Sequence, residues 1–155
     1  MARCFWQNCS ADAEPGETTV YNINIGTSGQ VYWYLGIALN AFASLFLATG
    51  DMRWRDAGYK VYEYFNNCAD DVYESITNGK VAWGLGWMYA ATRDPQFSKA
   101  AQEVWDWHCQ IQDEDGYWLR RGQFKNYDEQ PLHVTLDTTF ERAFYMLELA
   151  RTLDI

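Results

Sequence analysis

The chain has 155 residues and carries 12 Lys+Arg against 21 Asp+Glu, a formal net charge of −9 with neutral His. That length supports one domain with a real core, and 48% hydrophobic with 17% aromatic residues exclude a disordered chain, because so much apolar surface must be buried. The negative charge excludes nucleic acid as a partner, since a phosphate backbone would repel it.

Residues 1–29 read as an irregular N-terminal arm to a single α-helical domain spanning 1–155. Met1 to Cys9 holds one basic residue, Arg3, and no long apolar run, so it is not a secretory signal. The four cysteines (Cys4, Cys9, Cys68 and Cys109) are widely spread, and a chain of this size needs no staples. They read as reduced thiols, which places the protein in the cytoplasm. A metal site at Cys4 and Cys9 would lack support, since the chain has no Cys-x-x-Cys and only two His. The expectation is no metal and no cofactor.

Val31–Ala48 carries no charge and reaches membrane-helix length. Gly36, Asn40 and Ser44 interrupt it, and a helix apolar on all sides also serves as the inner helix of a soluble domain, which is the reading preferred over a membrane span. After a tight turn, Asp51 has the character of an N-cap, and Trp54, Ala57, Gly58, Val61 and Phe65 recur at helical spacing. This is an outer helix, with Arg53, Arg55, Lys60 and Glu63 on its other face. A long connection, 66–79, contains Asp70-Asp71-Val72-Tyr73-Glu74. Val81–Thr92 is again charge-free and inner. Asp94 caps the next helix, Pro95 takes its first position, and Phe97, Ala100, Ala101, Val104 and His108 form its apolar face. A second long connection, 109–135, precedes a third inner helix, Leu136–Leu153, with Phe140, Ala143, Phe144, Leu147 and Ala150 on one face.

The segments from Ala48 and from Ala91 repeat at an offset of 43, with Ala48/Ala91, Thr49/Thr92, Asp51/Asp94, Ala57/Ala100 and Val61/Val104 identical. Such a period marks a repeated supersecondary unit. The fold class is all-α: repeated antiparallel hairpins with inner and outer helices. Alternating inner and outer helices with an Ala48-Thr49-Gly50-Asp51 turn resemble the α/α-toroid group. That group holds six-hairpin glycosidases, sugar epimerases and polysaccharide lyases, together with terpenoid cyclases and protein prenyltransferases. Gln112-Asp113-Glu114-Asp115-Gly116-Tyr117-Trp118 is similar to the Gln-x-x-x-Gly-x-Trp end of the squalene-type cyclase repeat, with Gly116 in a tight turn and Trp118 stacked back on the preceding helix end. The resemblance runs from about Gln30 to Leu153 and implies a partial toroid. A complete toroid needs a longer chain, the cyclase acid motif is only half present at Asp113–Asp115, and no family's catalytic set carries over. Asp70-Asp71-Val72-Tyr73-Glu74 resembles the metal motif of class I terpene synthases, which would imply Mg²⁺, but it lies in a connection rather than inside a long helix. The third inner helix lacks an outer mate; either the N-terminal arm covers it or another subunit does, and a homodimer, or a partner chain completing the barrel, is expected over a monomeric bundle.

The long connections and the arm meet at one rim, over the N-termini of the inner helices, where free N–H groups suit a developing negative charge. Asp137 and Glu141 lie four apart on one face, with His133 and Asp115 nearby in sequence. Paired carboxylates with a His suit general acid–base chemistry. Trp33, Trp83, Trp87, Trp118 and Tyr127 offer rings for stacking a substrate. Each has a plainer reading: Asp137 caps the last helix, Glu141 pairs with Arg142 or Arg120, His133 and Asp113–Asp115 are solvated, and the tryptophans are core. Three functions compete. The first is a carbohydrate-active enzyme working by hydrolysis, elimination or epimerisation on a saccharide or other small molecule. The second is a cyclase acting on a polyene in an aromatic-lined apolar chamber. The third is a non-catalytic helical-repeat module that binds a protein.

Overall fold

The computed structural model describes residues 23–121 and 123–153. They form five α-helices: α1 (Trp33–Thr49), α2 (Met52–Asn66), α3 (Gly79–Thr92), α4 (Pro95–Gln110) and α5 (Leu132–Leu153). A single 3-10 turn, Asp70–Val72, lies in the connection between α2 and α3. Among the described residues the only strand-like feature is an isolated bridge between Arg121 and Phe124. No described helix is long and apolar enough to cross a membrane. Cys4 and Cys9 lie outside the described residues, as does most of the arm.

The middle helix is α3. It packs against α1, α4 and α5, while α2 packs on α1. Tyr59 and Tyr62 of α2 meet Phe97 of α4, with ring centroids 5.1 and 4.8 Å apart, and so join the second pair of helices. The short apolar stretch of α3 is buried on several sides because it sits between neighbours, whereas α1, expected to be buried on most sides, buries only Leu35, Gly36, Leu39 and Ala43 and leaves Ile37, Leu45 and Leu47 exposed. Their contact is unusually close. A Cβ at Gly36 would run into the Lys80 carbonyl, and one at Gly84 into the Gly36 carbonyl, so the two backbones touch where neither has a side chain. On the other side of α3, Gly86 receives Leu149 and Thr152 of α5, and Gly79 receives the Tyr145 ring.

The two turns after α1 and α3 share their bonding. Thr49 Oγ1 donates to the Leu45 carbonyl and accepts from Asp51 N–H; Thr92 Oγ1 donates to the Met88 carbonyl and accepts from Asp94 N–H. Gly50 (φ 67°) and Arg93 (φ 57°) take the left-handed position and bond back to Phe46 and Tyr89. Asp51 then accepts from Arg53 N–H at 3.0 Å, and Asp94 from Gln96 N–H at 3.1 Å. Asp94 does more than cap. It also accepts from Tyr59 at 2.9 Å, tying the turn to α2, and these donors hold its carboxyl below the ordinary range, the Gln96 amide foremost. Asp94→Ala is therefore expected to destabilise by about 1 kcal/mol or somewhat more, and Asp51→Ala by less, because its extra partner, Arg53, is solvent-exposed. Urea melts of both variants check the order.

The last helix begins one turn earlier than its sequence pattern indicates, at Leu132 instead of Leu136. Pro131 stands immediately before it, a position where a missing N–H costs nothing. Two expectations change as a result. His133 is in the first turn of α5 and not in a loop, and Asp137 is inside the helix and cannot be its cap. The Gln112–Trp118 stretch does fold back: Gly116 turns at φ 85°, and Trp118 Nε1 donates to the His108 carbonyl at 2.9 Å.

Candidate functional site

Lys80 lies in the first turn of α3, where a positive charge opposes the helix dipole. Glu141 of α5 offsets it. The Lys80 ammonium pairs with the Glu141 carboxylate, and the Tyr145 hydroxyl donates to the same carboxylate oxygen at 3.2 Å. Tyr145 lies one turn after Glu141, so both point to one face. Burial, followed by the Glu141 charge, pushes the Tyr145 phenol well up, so this group stays protonated and remains a hydrogen-bond donor. Lys80 Nζ stands 5.4 Å from the Trp33 ring centroid and 5.6 Å from that of Tyr145. Trp83 completes the wall, 5.5 Å from Tyr145 and 6.4 Å from Phe144. Lys80 and Glu141 side chains are 24% and 36% exposed, so a ligand can reach both.

This cluster unites three residues singled out from sequence: Glu141, Trp33 and Trp83. The others lie elsewhere. Asp137, one turn before Glu141, pairs with Arg120 at 2.8 Å on an exposed surface. That settles the ion-pair alternatives: Arg120 belongs to Asp137, and Glu141 belongs to Lys80. His133 and Asp115 are exposed, and Asp115 N–H bonds to Asp113 within its own turn. Trp87 lies under the Arg151 guanidinium at 5.2 Å. Tyr127 donates to the Tyr117 carbonyl at 3.3 Å. Trp118, expected as a stacking surface, is buried at 2% exposure and bonds to the end of α4, so its ring faces are not open to a substrate.

Sequence reasoning missed Lys80 and Tyr145. It also missed the buried group that fixes α5 next to Glu141. Arg142 is buried; it donates to the Thr138 carbonyl at 2.9 Å and, across the fold, to the Ile76 carbonyl. Desolvation lowers its pKa to about 10, so it stays charged at neutral pH. His108, at the end of α4, faces this charge. Burial first and Arg142 second lower His108 to about 3, and neither ring nitrogen has a hydrogen-bond partner among the described residues.

The acidic Asp70–Glu74 stretch has a structural task. Asp71 accepts from the Tyr32 hydroxyl at 2.6 Å and from Gly29 N–H, pinning the described end of the arm. Among the described residues no group of His, Cys, Asp and Glu is placed to hold a metal ion. Other surfaces of the described residues line further clefts, one of about 510 Å³ at Tyr89, Lys99 and Gln102. One of about 400 Å³ lies at Tyr59, Tyr62 and Gln96. One of about 290 Å³ brings together Glu74, Glu103 and Asp106 with Tyr73 and Trp107. No family model matches this chain, and neither does any curated protein or solved structure.

Proposed function

We propose that the five helices are a partial α/α toroid of repeated hairpins, with α1, α3 and α5 as the inner row, and that the chain acts on a carbohydrate. The observation that carries this reading is the Glu141 carboxylate held by Lys80 and Tyr145 between Trp33 and Trp83. An ion-paired carboxylate is a base. Beside it stand an ammonium, which stabilises developing negative charge, and a phenol that stays protonated and orients the carboxylate by its hydrogen bond, so Glu141 itself both takes the proton and returns it. Tryptophan faces hold a sugar ring through its apolar C–H side. Hydrolysis would need a second carboxylate across the scissile bond, and Asp137 is tied to Arg120 instead. Proton abstraction, leading to elimination or epimerisation, is the reaction that this set supports best. A cyclase would start from a protonated acid inside a closed apolar chamber; Glu141 is paired and half open. A pure binding module would use the same aromatic wall without the base. We place the protein in a reducing, cytosol-like compartment, in keeping with the free thiols of Cys68 and Cys109.

The test is binding of neutral and acidic oligosaccharides, followed by tryptophan fluorescence and calorimetry. Glu141→Gln and Trp83→Ala are each expected to weaken binding about tenfold, close to 1.4 kcal/mol, with circular dichroism verifying that both variants are folded. Turnover by the wild type, absent in Glu141→Gln, distinguishes an enzyme from a module. If Trp107→Ala abolishes binding while both inner variants bind normally, the sugar belongs to the Glu74–Glu103–Asp106 cleft and this site assignment fails.

A further inference from the structure

One side of α5 has no cover among the described residues. Leu132, Phe140 and Leu147 are 73%, 68% and 72% exposed, and Leu136 and Phe144 are exposed as well. They lie opposite the buried face of the same helix, which carries Thr135, Thr138, Arg142 and Leu149. At about 100 Å² each, five such side chains expose on the order of 500 Å² of apolar surface. That is at the upper end of the largest patch on a monomeric protein, about 300–600 Å².

We infer that this stripe is an isologous interface, where α5 of one copy packs antiparallel on α5 of a second copy. The spacing of the stripe is self-complementary. With a twofold axis at Phe140, Leu136 of one copy falls opposite Phe144 of the other and Phe140 opposite itself, while Leu132 falls opposite position 148, one residue past Leu147. A C2 interface requires this matching of one surface with itself. Two copies bury on the order of 1,000 Å², about the lower bound for a specific interface. The stripe extends over about 22 Å, or four helical turns. Charge points to the same occupant. Asp137, Glu141 and Glu148 are paired within the chain to Arg120, Lys80 and Arg151, and Arg142 is buried. A charged partner finds no unpaired group there. An anionic membrane would be repelled by a chain of net charge −9. Two such chains also repel at long range, so their contact belongs on an uncharged stripe, and salt tightens it by screening the rest.

Light scattering on the full chain, from micromolar to high micromolar concentration and at low and high salt, tests this. The expected mass is twice the 18.1 kDa chain, with the dimer fraction rising with salt. Phe140→Asp sets two carboxylates against each other on the axis and is expected to weaken dimerisation at least about 100-fold. Leu45→Asp, on exposed α1, is expected to leave it unchanged. Circular dichroism verifies that both variants are folded, and Leu147→Asp serves if Phe140→Asp is not. A wild type that is monomeric throughout overturns the interface, as does a dimer that survives both α5 variants. Adsorption of a monomeric wild type to uncharged lipid vesicles would give the stripe to a membrane surface and overturn it too.

Discussion

Gly36→Ala is expected to destabilise the chain by about 3 kcal/mol, lowering the melting temperature by roughly 10 °C for a domain of this size. Helix propensity alone argues the other way, because alanine in place of a mid-helix glycine gains up to about 1 kcal/mol. Packing decides the sign. The new methyl group would collide with the Lys80 carbonyl, which belongs to the backbone of α3 and cannot swing aside. The two helices must separate, and Gly84, which touches the Gly36 carbonyl from the opposite side, loses its contact as well. The site follows the crossing, since Trp33 and Lys80 flank it and meet only while α1 and α3 are this close. Gly58→Ala is the matched control. Its Cβ would approach the Met88 Sδ and Cε at 2.6 Å, and these end a flexible side chain that rotates away. The control is expected within about 1 kcal/mol of the wild type. Equal effects in the two variants would mean that α1 and α3 do not cross at backbone contact.

What the sequence discloses follows the range of the interaction. The Thr-Gly-Asp and Thr-Arg-Asp turns are legible because their hydrogen bonds join residues two to four apart, and Asp51, Asp94 and Pro95 are local helix signals. The turn at Gly116 and the return of Trp118 to the end of α4 are legible for the same reason. The start of α5 is displaced by a turn because the apolar pattern leaves Pro131 in the connection, although proline also marks the residue where a helix begins. Glu141 was found as one half of a carboxylate pair, yet its true partner is 61 residues away on α3. Nothing local announces that contact. The one available sign was Lys80, a lone cation at the head of a charge-free segment, where its charge opposes the dipole. The burial of His108 is legible, since it continues the apolar spacing of Phe97, Ala100, Ala101 and Val104. That it faces a buried Arg142 is not, because the two are joined only through packing of α4 and α5.

That pair makes stability depend on pH in a window where few other groups titrate. Folded His108 has its pKa lowered to about 3 from the ordinary 6.5, by burial and then by the Arg142 charge. Above pH 6.5 the imidazole is neutral in both the folded and unfolded states and contributes no slope. Below it, the unfolded chain takes up a proton that the folded chain refuses, so stability falls as pH falls, by about 1.4 kcal/mol per unit. The expected loss between pH 6.5 and 5 is roughly 2 kcal/mol, growing to roughly 4 kcal/mol near pH 3. Asp51 and Asp94, whose carboxyls are held low, also lose their stabilising contribution in acid, but only once the pH approaches the unfolded carboxyl value of 3.8. The interval above pH 5 therefore isolates the histidine. His108→Phe keeps a ring beside Trp107 and removes both unpartnered nitrogens, so it is expected to be nearly neutral at pH 7.5. In urea denaturation at about pH 7.5 and pH 5, the stability of the variant relative to the wild type should rise by about 2 kcal/mol on acidification. A constant difference across that interval would mean that His108 takes up its proton in the folded chain, which is incompatible with its burial under the influence of the Arg142 charge.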